Sequence, residues 1–151
     1  MTHTGYTIQM LTKNVEVILR DGAILNGQIF VSEYSRLHAG CEKISEFFEN
    51  ESSFFPLRVN NEIIMLSKSA VMFVSFPVDE DYSIFSFVKA EFFLSNGRSL
   101  ITDVPIQVQV PHARLSDQIN TTEKFITTLT DNNQKITLIN KSHITYLIEK
   151  K

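Results

Sequence analysis

Three blocks of residues occur twice in this chain, in the same order. Val15-Glu16-Val17-Ile18-Leu19-Arg20-Asp21-Gly22 is echoed by Ala90-Glu91-Phe92-Phe93-Leu94-Ser95-Asn96-Gly97. Arg36-Leu37 is echoed by Arg114-Leu115, and Ile63-Ile64-Met65-Leu66-Ser67-Lys68-Ser69-Ala70-Val71 by Ile136-Thr137-Leu138-Ile139-Asn140-Lys141-Ser142-His143-Ile144. A 151-residue chain is one ordinary domain or two very small ones. The repeated blocks favour two modules, residues 1–77 and 90–151, joined by an acidic linker and lead-in strand over residues 78–89. Modules this short bury little surface by themselves. They must lean on each other or on another copy, with the 12 Phe residues supplying much of the apolar area.

Each module predicts strand, strand, helix, strand, strand, strand. Alternating apolar residues lead into Asp21-Gly22 and into Asn96-Gly97, the signature of a tight hairpin in which both central residues accept positive φ. Gly27, inside the second strand, marks a bulge or sharp bend. In the second module Asp103 and Pro105 stand nearby, so its second strand bends or breaks there. The period then changes. Leu37, Cys41, Ile44, Phe47 and Phe48 fall at helical spacing and predict a helix over residues 36–50, with Cys41 as a buried, inert thiol. A weaker helix is expected over residues 115–125, with Ser116 as its N-cap. Asn60-Asn61 and Asp131-Asn132-Asn133 read as turns between the next strands. Ser67-Lys68-Ser69 and Asn140-Lys141-Ser142 break the chain before the last strand of each module. Residues 84–88 either begin the second module or extend the first. Residues 1–14 form a short helix or an extra strand.

This arrangement resembles the Sm-like fold, a strongly bent five-stranded antiparallel barrel. The likeness rests on Val15-x-Val17 through Asp21-Gly22 to Leu25-Asn26-Gly27, and on residues 136–139, Asn140-Lys141-Ser142 and Ile144-x-x-Leu147. It implies a mostly β protein of two tandem Sm-like barrels, each with a helix inserted after strand two. RNA-binding members carry an Asp-x-His/Phe-Met-Asn-like motif after strand two, and here the helical insert takes its place. Their Arg-Gly-Asp/Asn turn before the last strand is replaced by Lys68-Ser69 and Lys141-Ser142. Lysine lacks the planar fork that suits stacking on a base.

Formal net charge is −3, and no part of the chain is strongly basic. Residues 1–77 carry six Lys/Arg against eight Asp/Glu, residues 78–89 one against three, and residues 90–151 seven against six. That balance disfavours general affinity for nucleic acid. The single cysteine allows no intrachain disulfide or thiolate cluster, and His3, His38, His112 and His143 show no metal-ligand spacing. Asp79, Glu80 and Asp81 read as a solvated linker. Neither a secretory leader nor ~20 consecutive apolar residues is found, so a soluble, cytoplasmic protein away from membranes is expected. There is no nucleophile motif or phosphate-cradling loop. The expectation is therefore a non-enzymatic oligomeric scaffold or adaptor, without cofactor or metal, that self-associates through strand edges and whose protein partner is unknown. The alternative is an RNA-binding protein. In either case the rim is Lys68, Ser69, Asn140, Lys141 and Ser142. Arg36 and Arg114 are candidate anion or partner contacts, although the residues themselves read better as a core leucine beside an arginine paired with a carboxylate or a strand carbonyl.

Overall fold

The computed structural model describes residues 10–107 and 114–150. Among these described residues there are ten strands and two short helices. The strands are β1 (Met10–Leu19), β2 (Ile24–Ser32), β3 (Phe54–Val59), β4 (Glu62–Ser67), β5 (Val71–Pro77), β6 (Phe85–Leu94), β7 (Ser99–Gln107), β8 (Phe125–Thr130), β9 (Lys135–Asn140) and β10 (Ile144–Glu149). The helices are α1 (Ile44–Glu49) and α2 (Leu115–Ile119), and single 3₁₀ turns over Lys68–Ala70 and Lys141–His143 precede β5 and β10.

All ten strands belong to one antiparallel sheet, in the order β10-β6-β7-β8-β9-β5-β1-β2-β3-β4. It is open and is not closed into a barrel. This corrects the expectation of two separate barrels: β5 of the first half bonds to β9 of the second, so the backbone ladder runs through the junction. Each half keeps one neighbour pattern, last strand beside first, then second, third and fourth.

The registers repeat as well. Glu16, Val17, Ile18 and Leu19 face Ser75, Val74, Phe73 and Val71, with a shift before the last pair. Glu91, Phe92, Phe93 and Leu94 face Ile148, Leu147, Tyr146 and Ile144 with the same shift. Phe54 to Val59 face Ser67 to Glu62, and Phe125 to Thr130 face Asn140 to Lys135. Structural counterparts follow: Phe54 with Phe125, Ile63 with Ile136, Met65 with Leu138, Ser67 with Asn140, Phe73 with Tyr146, and Ile18 with Phe93.

Turn chemistry explains the hairpins. Leu19 N–H donates to Ala23 O at 2.9 Å, and Leu94 N–H to Arg98 O at 2.8 Å. Each loop therefore has three residues, with glycine alone at positive φ (Gly22 +93°, Gly97 +87°). Asp21 and Asn96 use their side chains instead, accepting from the N–H two residues on. The β3–β4 turn is the one with two residues at positive φ, Asn60 and Asn61.

Gly27 allows a close strand approach, not a bulge. The β1–β2 register runs through it unbroken, and β2 meets β3 only at Gln28 opposite Arg58. A Cβ on Gly27 would lie 2.5 Å from the Arg58 carbonyl oxygen. Its counterpart is Thr102, which faces the small Ala90 where Gly27 faces Val15. The second half thus fits a side chain at this position, and β7 continues through Asp103 and Pro105. Gly27→Ala should destabilise the protein by about 1–3 kcal/mol in urea unfolding, because a backbone atom must move.

The helices are shorter than the sequence suggests. Residues 33–43 form turns, not the first half of a helix. Gly40 has φ +101°, and Ser35 N–H donates to the Gly40 carbonyl at 2.8 Å. Cys41 lies in this loop and is only partly buried. The second helix ends at Ile119. Its N-cap is Arg114, not Ser116, and Asp117 accepts the Arg114 N–H at 3.2 Å, as Glu46 does for Lys43 at 3.3 Å. The 78–84 segment is tied down more than a solvated linker would be. Glu80 bonds Lys43 and accepts the Tyr82 hydroxyl at 3.1 Å, while Val78 and Tyr82 pack on the core. Residues 85–88 belong to β6, with Ile84 in the turn before it; residues 10–14 belong to β1, and residues 1–9 lie outside the described residues.

Candidate functional site

The junction between the halves gathers the residues on which a function can be built. Two hydrophobic clusters meet there, and each borrows from the other half. The first contains Val17, Ile29, Phe48, Phe55 and Val74 together with Phe125, Ile136 and Leu138. The second contains Phe92, Leu94, Val104 and Ile126 together with Ile18, Met72 and Phe73. Phe48 is fully buried and packs its ring 5.2 Å from Phe55 and 5.5 Å from Phe125.

Polar groups lock this seam. Glu49 accepts the N–H groups of Lys124 at 2.8 Å and Phe125 at 2.9 Å, at the start of β8. The buried Asn140 amide donates to the carbonyls of Val71 at 2.9 Å and Lys68 at 3.4 Å, and its oxygen accepts from Ser142. His143 Nε2 bonds the Ser69 carbonyl at 2.6 Å, and Ser75 and Thr137 share a hydroxyl bond at 2.9 Å. Glu49 carries no signal in the sequence, and His143 is legible there only as a histidine without metal-ligand spacing. Their partners lie 74 to 76 residues away, so no local pattern announces them.

All five rim candidates line one cleft of about 500 Å³ at this seam, with Ser53, Thr122 and Lys124. Their roles differ. Lys68 is buried, not a free cation on a rim. Its ammonium donates to the carbonyls of Phe47 and Asn50 and to Asn50 Oδ1, at 2.6–3.4 Å, closing the end of α1. Burial, then the nearby Lys124 cation, holds its pKa below the usual lysine value. Lys141 donates to Thr121, to both its carbonyl and its hydroxyl. Ser69 and Ser142 are exposed.

The arginine candidates do not come together as a pair. Arg36 sits in the 33–43 loop beside Leu37, which is 79% exposed and no core residue. The structural counterpart of Arg114-Leu115 is Lys43-Ile44, each pair opening its helix. Leu115 and Ile44 are the buried members. His112 and His3 lie outside the described residues. Among the described residues, no three His, Cys, Asp or Glu side chains gather to hold a metal ion, and no helix is long and apolar enough to cross a membrane.

The loop carries an ionic latch. His38 bonds Glu46 and the Ala39 carbonyl, and Ser35 donates to Glu46 at 2.9 Å. The Ala39 carbonyl first, then Glu46, raises the imidazole above 6.5. Burial opposes charge on Glu46, but bonds from Ser35, His38 and the Lys43 N–H leave its carboxyl below 4.5. The histidine contribution is complete below 6.5 and is lost as pH rises through the raised value; the glutamate contribution holds above 4.5 and is lost as pH falls through the lowered one. The loop should therefore be held best between these two values. Amide exchange at Ser35 and Leu37, corrected for intrinsic rate, should show protection falling from pH 6 to pH 8, and His38→Gln should remove that dependence.

A mostly β protein, with a buried seam and two outer sheet edges, is the class these features define. Compared with known proteins, the chain matches no protein-family model, no curated protein and no solved structure.

Proposed function

We propose that this chain is a non-enzymatic assembly module, a tandem of two Sm-like units that joins further copies of itself edge to edge into an oligomeric scaffold. The observation that carries this reading is the β5–β9 seam. One half's last strand pairs with the other half's fourth strand, and the same two kinds of edge recur at the ends of the sheet as β10 and β4.

Among the described residues, nothing pairs with those outer edges. The β4 strand reads Glu-Ile-Ile-Met-Leu-Ser, with no proline or lysine to blunt it. An apolar edge of unpaired N–H and C=O groups is a template for another strand unless it is covered. A repeated head-to-tail contact closes into a ring where the rotation allows, and two modules per chain give an even module number. Sedimentation velocity at micromolar concentration should show a discrete species of several chains. Dispersed monomers would overturn the proposal.

RNA binding is the less supported reading. The rim residues do line one cleft, but both lysine ammonium groups already bond to protein oxygens, and Glu51 and Glu123 share the cleft wall.

A further inference from the structure

We infer that the two ends of the sheet are a second, weaker copy of the internal seam: β10 of one chain pairs with β4 of the next in the β5–β9 register, and this joint is the one that opens. The inference rests on the self-association reading above and adds to it a register and a reason for reversibility.

Exposure supports it. The residues that the second half lends across the seam, Phe125, Ile136 and Leu138, are at most 4% exposed. Their counterparts on the free end, Phe54, Ile63 and Met65, are 56%, 53% and 59% exposed. At the other end the counterparts of Ile18 and Phe73 are Phe93 and Tyr146, which stack at 4.5 Å with Tyr146 53% exposed. Three side chains at one end and two at the other thus lack the burial that their own repeats have.

The register follows from the internal pairs. Phe73, Val74, Ser75, Phe76 and Pro77 face Ile139, Leu138, Thr137, Ile136 and Lys135. Moving each to its counterpart places Tyr146 opposite Leu66, Leu147 opposite Met65, Ile148 opposite Ile64, Glu149 opposite Ile63, and Lys150 opposite Glu62. Three of the five pairs are apolar and one joins opposite charges, both favourable across strands. A shift by one residue would turn the exposed side chains to the wrong face.

The polar locks do not carry over. Ser67 stands where Asn140 spans the seam, Asn120 where Glu49 takes two backbone N–H groups, and Ala70 where His143 reaches the Ser69 carbonyl. Serine is too short for the Asn140 bonds, and alanine has no donor. The outer joint keeps the ladder and the apolar contact but loses these fastenings.

The test uses the full chain with Cys41→Ser. Ile64→Cys with Ile148→Cys should give disulfide-linked multimers on mild oxidation, as strand neighbours stand within disulfide reach. The shifted pair, Met65→Cys with Ile148→Cys, should not. Multimers in sedimentation that fail to cross-link, or that cross-link in the shifted pair, would overturn the register and leave self-association standing. Monomers alone would overturn both. Separately, Ser67→Asn should tighten the dissociation constant about two- to tenfold by restoring one seam bond. An unchanged constant would overturn the account of the weaker joint.

Discussion

Ile63→Lys combined with Met65→Lys should leave a folded chain that no longer self-associates. Both side chains are more than half exposed on β4, so changing them should cost the single chain roughly 0.5 kcal/mol or less each. In the assembled state they would occupy the places of Ile136 and Leu138, which are 1% exposed. There both positions would lose apolar burial, and at position 65 an unpaired ammonium would face Leu147, whereas at position 63 the facing Glu149 would offset part of the loss. A combined penalty of about 3 kcal/mol weakens association by roughly a hundredfold. Sedimentation should show single chains at concentrations where the parent protein is assembled, with an unchanged circular dichroism spectrum. Retained multimers would place the contact elsewhere.

Phe48→Ala should destabilise the chain by about 3–5 kcal/mol. The side chain is fully buried, and its ring touches Phe47, Phe55 and, across the seam, Phe125. The cavity would therefore open at the junction and not within one half. The β5–β9 ladder also runs through this region, so both halves should lose stability together. Urea unfolding should remain a single transition moved to lower denaturant. Two separated transitions, one unmoved, would mean that the halves fold independently and the seam contributes little.

Local chemistry was legible. The hairpins at Asp21-Gly22 and Asn96-Gly97 lie where the sequence places them, since a glycine after a side-chain acceptor specifies a tight loop by itself. The succession of strands along each half follows from alternation and turn residues, whereas their order in the sheet, with β5 beside β1 and β10 beside β6, does not. The helix over 36–50 failed because helical spacing of Leu37 and Cys41 outweighed a nearer signal: Gly40 interrupts it and adopts positive φ. Ile44 with Glu46, three residues after Lys43, marks the true start. Letters alone pair Arg36-Leu37 with Arg114-Leu115, whereas the geometry aligns Lys43-Ile44 with them.

The five rim residues share one cleft but differ in exposure. Lys68 looked like a free cation because lysine in a polar turn between strands is ordinarily solvated. Its burial depends on α1 ending beside it, where the carbonyls of Phe47 and Asn50 accept its ammonium. Asn140 and Ser67 occupy equal positions, yet only Asn140 lies on the edge that another strand covers.

Alternation, glycine and asparagine turns, and the internal duplication determined by themselves that this chain builds two matching sets of five strands, because those signals act over a few residues. Which edge meets which was decided by the tertiary structure. Every strand edge offers the same backbone donors and acceptors, and only the side chains brought together across 69 to 76 residues, Glu49 with Phe125 and Asn140 with Val71 or Lys68, select one pairing over the others.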